Sequence, residues 1–170
     1  MNKRTLYLTK AAMIAALYTV LTLAAAALNL AYGEIQFRFS EALTILPIFC
    51  PAAVPGLTVG CLISNIMSTV NPLDMVIGTL ATLLAALCTR ALRGVTIKGY
   101  PLLSMLMPVL FNGVFVGAEI ARFTGENTFW QAFVPASLSV AVGEAAVVLG
   151  LGTLLFLLIR KDTKLQSIVS

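Results

Sequence analysis

Nine of the eleven Lys and Arg residues of this 170-residue chain stand in three short clusters, and four of its five long apolar runs begin or end at one of them. Lys3, Arg4 and Lys10 open the chain, Arg90, Arg93 and Lys98 lie in its middle, and Arg160, Lys161 and Lys164 close it; Arg38 and Arg122 stand apart. Basic residues that flank apolar spans collect on the cytoplasmic side of a membrane, so the three clusters set a topology. Composition makes the bilayer the relevant solvent: 59% of residues are apolar and 11% charged, against about 45–50% and about 25% in soluble domains. With about 20 apolar residues needed per crossing, the chain reads as a single transmembrane domain over residues 1–170, with no length left for a soluble catalytic domain. The flanking clusters and anionic inner-leaflet lipid account for the net charge of +4, so the bilayer and not nucleic acid is the expected partner of the basic residues.

Four apolar runs read directly as spans, residues 6–31, 75–92, 101–121 and 129–159. A fifth, 42–67, carries Pro51, Pro55 and Gly56, and proline removes a backbone donor and clashes with the preceding turn. If that run crosses once, four basic residues fall inside and seven outside; if it crosses twice, nine fall inside and two outside. Two crossings are therefore expected. The fold class is an all-α integral membrane bundle of six helices, near 6–31, 42–51, 55–70, 75–92, 101–121 and 129–159, with both termini cytoplasmic. Short, proline-interrupted segments are tolerated at bilayer depth where they are buried in protein or line a cavity, which predicts a site beside the second and third helices. The run from Phe129 exceeds what a span needs, so its start belongs in the interface with Trp130 in the aromatic belt. The first run is too long for a signal-peptide core of about 7–15 residues and is expected to be retained.

The residue inventory limits the chemistry. There is no histidine and no GxxxxGK[ST] loop, and Cys50, Cys61 and Cys88 lack CxxC spacing and read as packing residues in apolar spans. His-based metal sites, Ser-His triads and ATP binding by a Walker A loop are thereby excluded. No carboxylate pair stands at a diagnostic spacing, so no catalytic residue, metal or cofactor is expected, and if the chain pumps a solute, the energy must come from a partner or an ion gradient.

On the six-helix topology Glu34, Glu41, Asp74, Glu119 and Glu126 map to the outer half, while Glu144 lies deep in the last helix. A carboxylate there costs about 2.5–3.5 kcal/mol on insertion scales and should face the bundle interior. Asn112 and Glu119, seven residues apart, share a face of the fifth helix, with Phe115 and Val116 between them. Such a stripe offers an amide, a carboxylate and a stacking surface to a flat heterocycle, or hydrogen bonds to a neighbouring helix. Asn65 reads as packing glue. Between the first two helices, Ile35, Phe37 and Phe39 alternate with Glu34, Gln36, Arg38 and Ser40, a period of two that suits an extended lid over a site. Ser40 reads as the cap of the second helix. Small residues four apart, Ala11/Ala15, Ala12/Ala16, Gly56/Gly60 and Gly113/Gly117, permit close helix contact.

The stretch Gly-Glu-Ile-Gln-Phe-Arg-Phe-Ser-Glu-Ala-Leu-Thr-Ile-Leu-Pro-Ile-Phe, residues 33–49, resembles the signature of the QueT family, proposed carriers of queuosine precursors. With the six short helices and the AxxxA pattern of helix 1, the whole chain is similar to the substrate-binding S component of an energy-coupling factor (ECF) transporter. The resemblance implies a non-enzymatic plasma-membrane subunit that captures a small-molecule 7-deazaguanine base. It implies docking on a transmembrane T component through Ala11, Ala12, Ala15 and Ala16, and two cytoplasmic ATPase subunits that power uptake. Glu34, Gln36, Arg38, Glu41, Asn112, Phe115, Glu119, Trp130 and Glu144 are the candidate substrate contacts, with no carboxylate assigned to a particular ligand atom. An S component for another vitamin or nucleobase, a stand-alone ion-coupled carrier, a small membrane enzyme and a ligand-free assembly subunit are the alternatives.

Overall fold

A computed structural model describes residues 2–31, 37–67, 72–123 and 129–169. These residues are helical almost throughout: α1 (Lys3–Ala27), a 3-10 helix (Phe39–Ile48), α2 (Ala53–Ile66), α3 (Pro72–Ala91), α4 (Leu102–Phe123), α5 (Phe129–Val147), a π-helical turn (Val148–Gly152), α6 (Thr153–Lys161) and α7 (Thr163–Val169). Three of these are long and apolar enough to cross a membrane: α1, α4 and the continuous rod Phe129–Lys161. Their outward faces carry exposed Leu8, Met13, Val20, Leu110, Leu138 and Val142, which is stable only against lipid. The chain is a multi-pass membrane protein.

Helix α1 stops four residues before the apolar run does. Asn29 adopts a left-handed conformation (φ 57°), its N–H donates to the Ala26 carbonyl, and Leu30 N–H donates to Ala25. This pair of bonds satisfies the carbonyls that a helix end leaves open, and Asn tolerates the left-handed region better than the surrounding alanines and leucines.

The expected helix over 42–51 is instead a ten-residue 3-10 helix that begins at Phe39. Such runs rarely exceed three or four residues because their hydrogen-bond geometry is poorer. Here the neighbours hold it: Ser40 to Pro47 are all buried, and the segment packs against α1, α2, α3, α4, α5, the π turn and α6. Arg90 of α3 donates to the Pro47 carbonyl at 2.9 Å, satisfying an acceptor at its C-terminal end. The chain then turns over residues 49–52 and Pro55 falls in the first turn of α2, where proline is tolerated.

Glycines set the two tightest helix contacts. A Cβ on Gly56 would lie 2.8 Å from the Ala11 carbonyl, and one on Gly60 would lie 2.9 Å from the Ala15 carbonyl. A Cβ on Gly117 would lie 2.6 Å from Ser137 Cα, so α4 and α5 touch backbone to backbone. At the opposite end of the bundle from Gly117, Arg160 donates to the Gly99 carbonyl at 2.9 Å, which brings the middle and C-terminal basic clusters together. Helix α7 was not anticipated; Asp162 starts it, its carboxylate accepting from Lys164 N–H at 2.8 Å.

Candidate functional site

Each residue at the centre of the bundle is placed by a packing feature already described. The close α4–α5 approach sets the faces that carry Asn112 and Val116, and Val140 and Glu144, against each other; both pairs are four apart and share a helix face. The amide Nδ2 of Asn112 donates to Glu144 Oε1. Arg38, the residue before the 3-10 helix, closes the third side, its Nε donating to the Ala31 carbonyl at 3.3 Å. All three polar side chains are buried. With Val116 and Val140 they enclose a cavity of about 10 Å3, room for about one water.

Two carboxylates lie within electrostatic reach of the Arg38 guanidinium, Glu144 and Glu41. Opposite charge matters most where water is scarce, because a buried ion is costly unless it is paired or hydrogen-bonded. Glu41 occupies the first turn of the 3-10 helix and accepts from the phenol of Tyr18 on α1. One turn along α1, Thr22 donates to Ser40 Oγ at 2.7 Å. Ser40 is thus a buried partner of α1 and not the cap expected of it; the residue at the cap position is Arg38, which makes no side-chain capping bond.

The remaining candidates divide among other surroundings. Phe115 and Glu119 line a separate, open groove of about 410 Å3 between α3, α4 and the start of α5, with Leu73, Ile77, Arg122 and Phe129 among its other walls. Trp130 is 66% exposed and packs edge-on against Phe129 and Phe133. Ala11 and Ala15 face Gly56 and Gly60 of α2, whereas Ala12 and Ala16 are exposed. Asn65 donates to Cys61 Sγ within its own helix. Glu34, Gln36 and Glu126, and with them the core of the expected strand-like lid, lie outside the described residues; Phe39, at the end of that alternation, is already in the 3-10 helix. Among the described residues no three His, Cys, Asp or Glu side chains gather to hold a metal ion.

Tyr18 and Thr22 escaped the sequence reading. The signal was present: with Ala11, Ala15 and Ala25 they form one stripe of α1 at helical spacing, and two hydroxyl-bearing side chains on an otherwise small, inward stripe require acceptors.

Residues 8–161 match the family described as QueT transporter. Over 72 residues the chain is 40% identical to the queuosine precursor transporter QueT of Lactococcus lactis subsp. cremoris, a stretch that covers 42% of this chain and 42% of the relative. No solved structure matches.

Proposed function

Because the chain belongs to the QueT transporter family, we propose that it is the substrate-binding S subunit of an ATP-driven ECF uptake transporter and that its substrate is a queuosine precursor of the 7-deazaguanine type. The observation that carries this reading is the convergence of a guanidinium, an amide and a carboxylate, all buried, on one cavity between α4, α5 and the 3-10 helix. A guanine-like edge presents N–H donors beside a carbonyl acceptor. A carboxylate meets the donors, and Arg or an amide meets the carbonyl. The relative from Lactococcus lactis is a queuosine precursor transporter, in agreement with that complementarity.

Val116 and Val140 supply the apolar walls, so the base lies between aliphatic side chains and not on Phe115. A bicyclic base is far larger than about 10 Å3, and it enters only if a wall moves. The wall built on Arg38 is the one carried by a single residue at an element end, the usual place for such a displacement.

The 3-10 helix and α2 count as two short crossings, which returns both termini to the cytoplasm. Docking on the T component uses Ala12 and Ala16, since Ala11 and Ala15 already face α2. Two ATPase subunits then supply the energy that this chain has no motif to harvest. Calorimetric titration of the purified chain with 7-cyano-7-deazaguanine, 7-aminomethyl-7-deazaguanine, queuine and guanine, without ATPases, tests the reading. One-to-one binding that prefers a 7-deazaguanine supports it; binding of none of them removes the substrate assignment. Replacing Ala12 and Ala16 by Leu should stop uptake in cells that express the full transporter and change affinity by about twofold or less, since both alanines are exposed and neither lines the cavity; a loss of affinity would place these alanines in the fold.

A further inference from the structure

Glu41 is 1% exposed, and its two carboxylate oxygens are in different situations. Oε1 accepts the Tyr18 phenol, while Oε2 is buried with no hydrogen-bond partner among the described residues. A buried acceptor left without a donor is costly, and such atoms in native structures call for an explanation. Packing around it is firmly built. Tyr18 is fully buried, Thr22 fixes the adjacent Ser40, and Glu41 N–H donates to the Arg38 carbonyl at 3.0 Å. That last bond joins the backbone of Glu41 to the residue that walls the cavity, and Glu41 and Glu144 both lie within electrostatic reach of Arg38.

We propose that Glu41 is a second ligand-reading carboxylate of the cavity, its Oε2 accepting from the exocyclic amine of the base, and that Tyr18 is the positioning residue that holds it ready. The assignment rests on the 7-deazaguanine reading above. It follows from what entry of the base requires: the Arg38 wall must shift, Glu41 is tied to that wall by backbone, and Oε2, which has no hydrogen-bond donor among the described residues, is the oxygen placed to take a ligand donor. Tyr18 occupies Oε1, so only Oε2 can turn to the ligand. Tyr18 and Thr22 also make α1 the element that senses this contact, and α1 exposes Ala12 and Ala16 beside the same stripe.

The test pairs a change in the protein with a change in the ligand. Affinities of the purified wild type, Glu41→Gln and Tyr18→Phe are measured for 7-cyano-7-deazaguanine and for its counterpart lacking the 2-amino group. Glutamine is isosteric with glutamate; with its oxygen on the Tyr18 phenol it points an amide N–H at the ligand amine, donor against donor. Wild type should lose about tenfold or more when the amine is removed, and Glu41→Gln should lose about tenfold or more for the aminated base only, binding the other as wild type does. Tyr18→Phe should shift affinity in the same ligand-dependent sense by a smaller factor, and it carries the test if Glu41→Gln does not fold. Equal losses for both bases, or none, would make Glu41 a purely structural residue and overturn the assignment alone. Failure of wild type to bind either base would overturn the substrate reading and this assignment together.

Discussion

Among the hollows that helix α4 borders, two differ most in the properties relevant to binding. Toward α5 and the 3-10 helix lies a closed cavity of about 10 Å3 whose walls include Arg38, Asn112 and Glu144. Toward α3 lies an open groove of about 410 Å3, apolar apart from Glu119 and Arg122. Size favours the groove over the cavity, since ligand pockets commonly measure about 300–1,000 Å3. Chemistry chooses the cavity. A nucleobase that leaves water must recover its hydrogen bonds, and three convergent buried polar groups provide them, whereas an open apolar groove at bilayer depth is matched by lipid chains. The lesson is that in a membrane protein an apolar concavity carries little information and a buried polar convergence carries much, because only the latter is costly to keep.

The most forceful way to break this contrast is to remove the charge of the cavity. Glu144→Gln keeps the shape and a partner for Asn112 but withdraws an ionic acceptor; hydrogen bonds to charged groups contribute about 1.5–3 kcal/mol, so affinity for the 7-deazaguanine base should fall roughly 10- to 150-fold. Unchanged affinity in calorimetry would assign Glu144 to structure. Next in size is Gly117→Ala. Its Cβ would meet Ser137 Cα at 2.6 Å, so α4 and α5 must separate, and overpacking of this kind costs about 1–3 kcal/mol. Thermal unfolding in detergent should show a lowered midpoint together with weaker base binding; an unaltered midpoint would mean that the helices can slide apart without cost. Smallest is the expected effect in the groove. Phe115→Ala and Glu119→Gln should each change affinity by about twofold or less, and a larger loss would move the base from the cavity to the groove.

How much of this was readable from sequence differs sharply between the two hollows. Glu144 declared itself because a carboxylate deep in an apolar span must face protein, and Asn112 for the same reason, although nothing in the sequence paired them. Arg38 came from the 33–49 stretch. The grouping of Asn112, Phe115 and Glu119 as one stripe did not hold together. Residues 115 and 116 flank the line through 112 and 119 on opposite sides, and which flank faces a cavity depends on whether α3 or α5 packs there; the Gly117–Ser137 contact decides it. The 3-10 helix was read only as a short helical crossing. Its tighter winding follows from burial against seven neighbouring elements, a tertiary effect with no local signature. Tyr18 was legible in principle, as an aromatic hydroxyl on a buried stripe, but its partner lies 23 residues away across segments whose packing a periodicity cannot show.

The most direct measurement is an experimental structure of the purified chain with 7-cyano-7-deazaguanine bound. The base should lie between Val116 and Val140, edged by Arg38, Asn112 and Glu144, with the Arg38 wall displaced. A base seated instead in the groove between Phe115 and Phe129, with the cavity still closed, would contradict the assignment of the site.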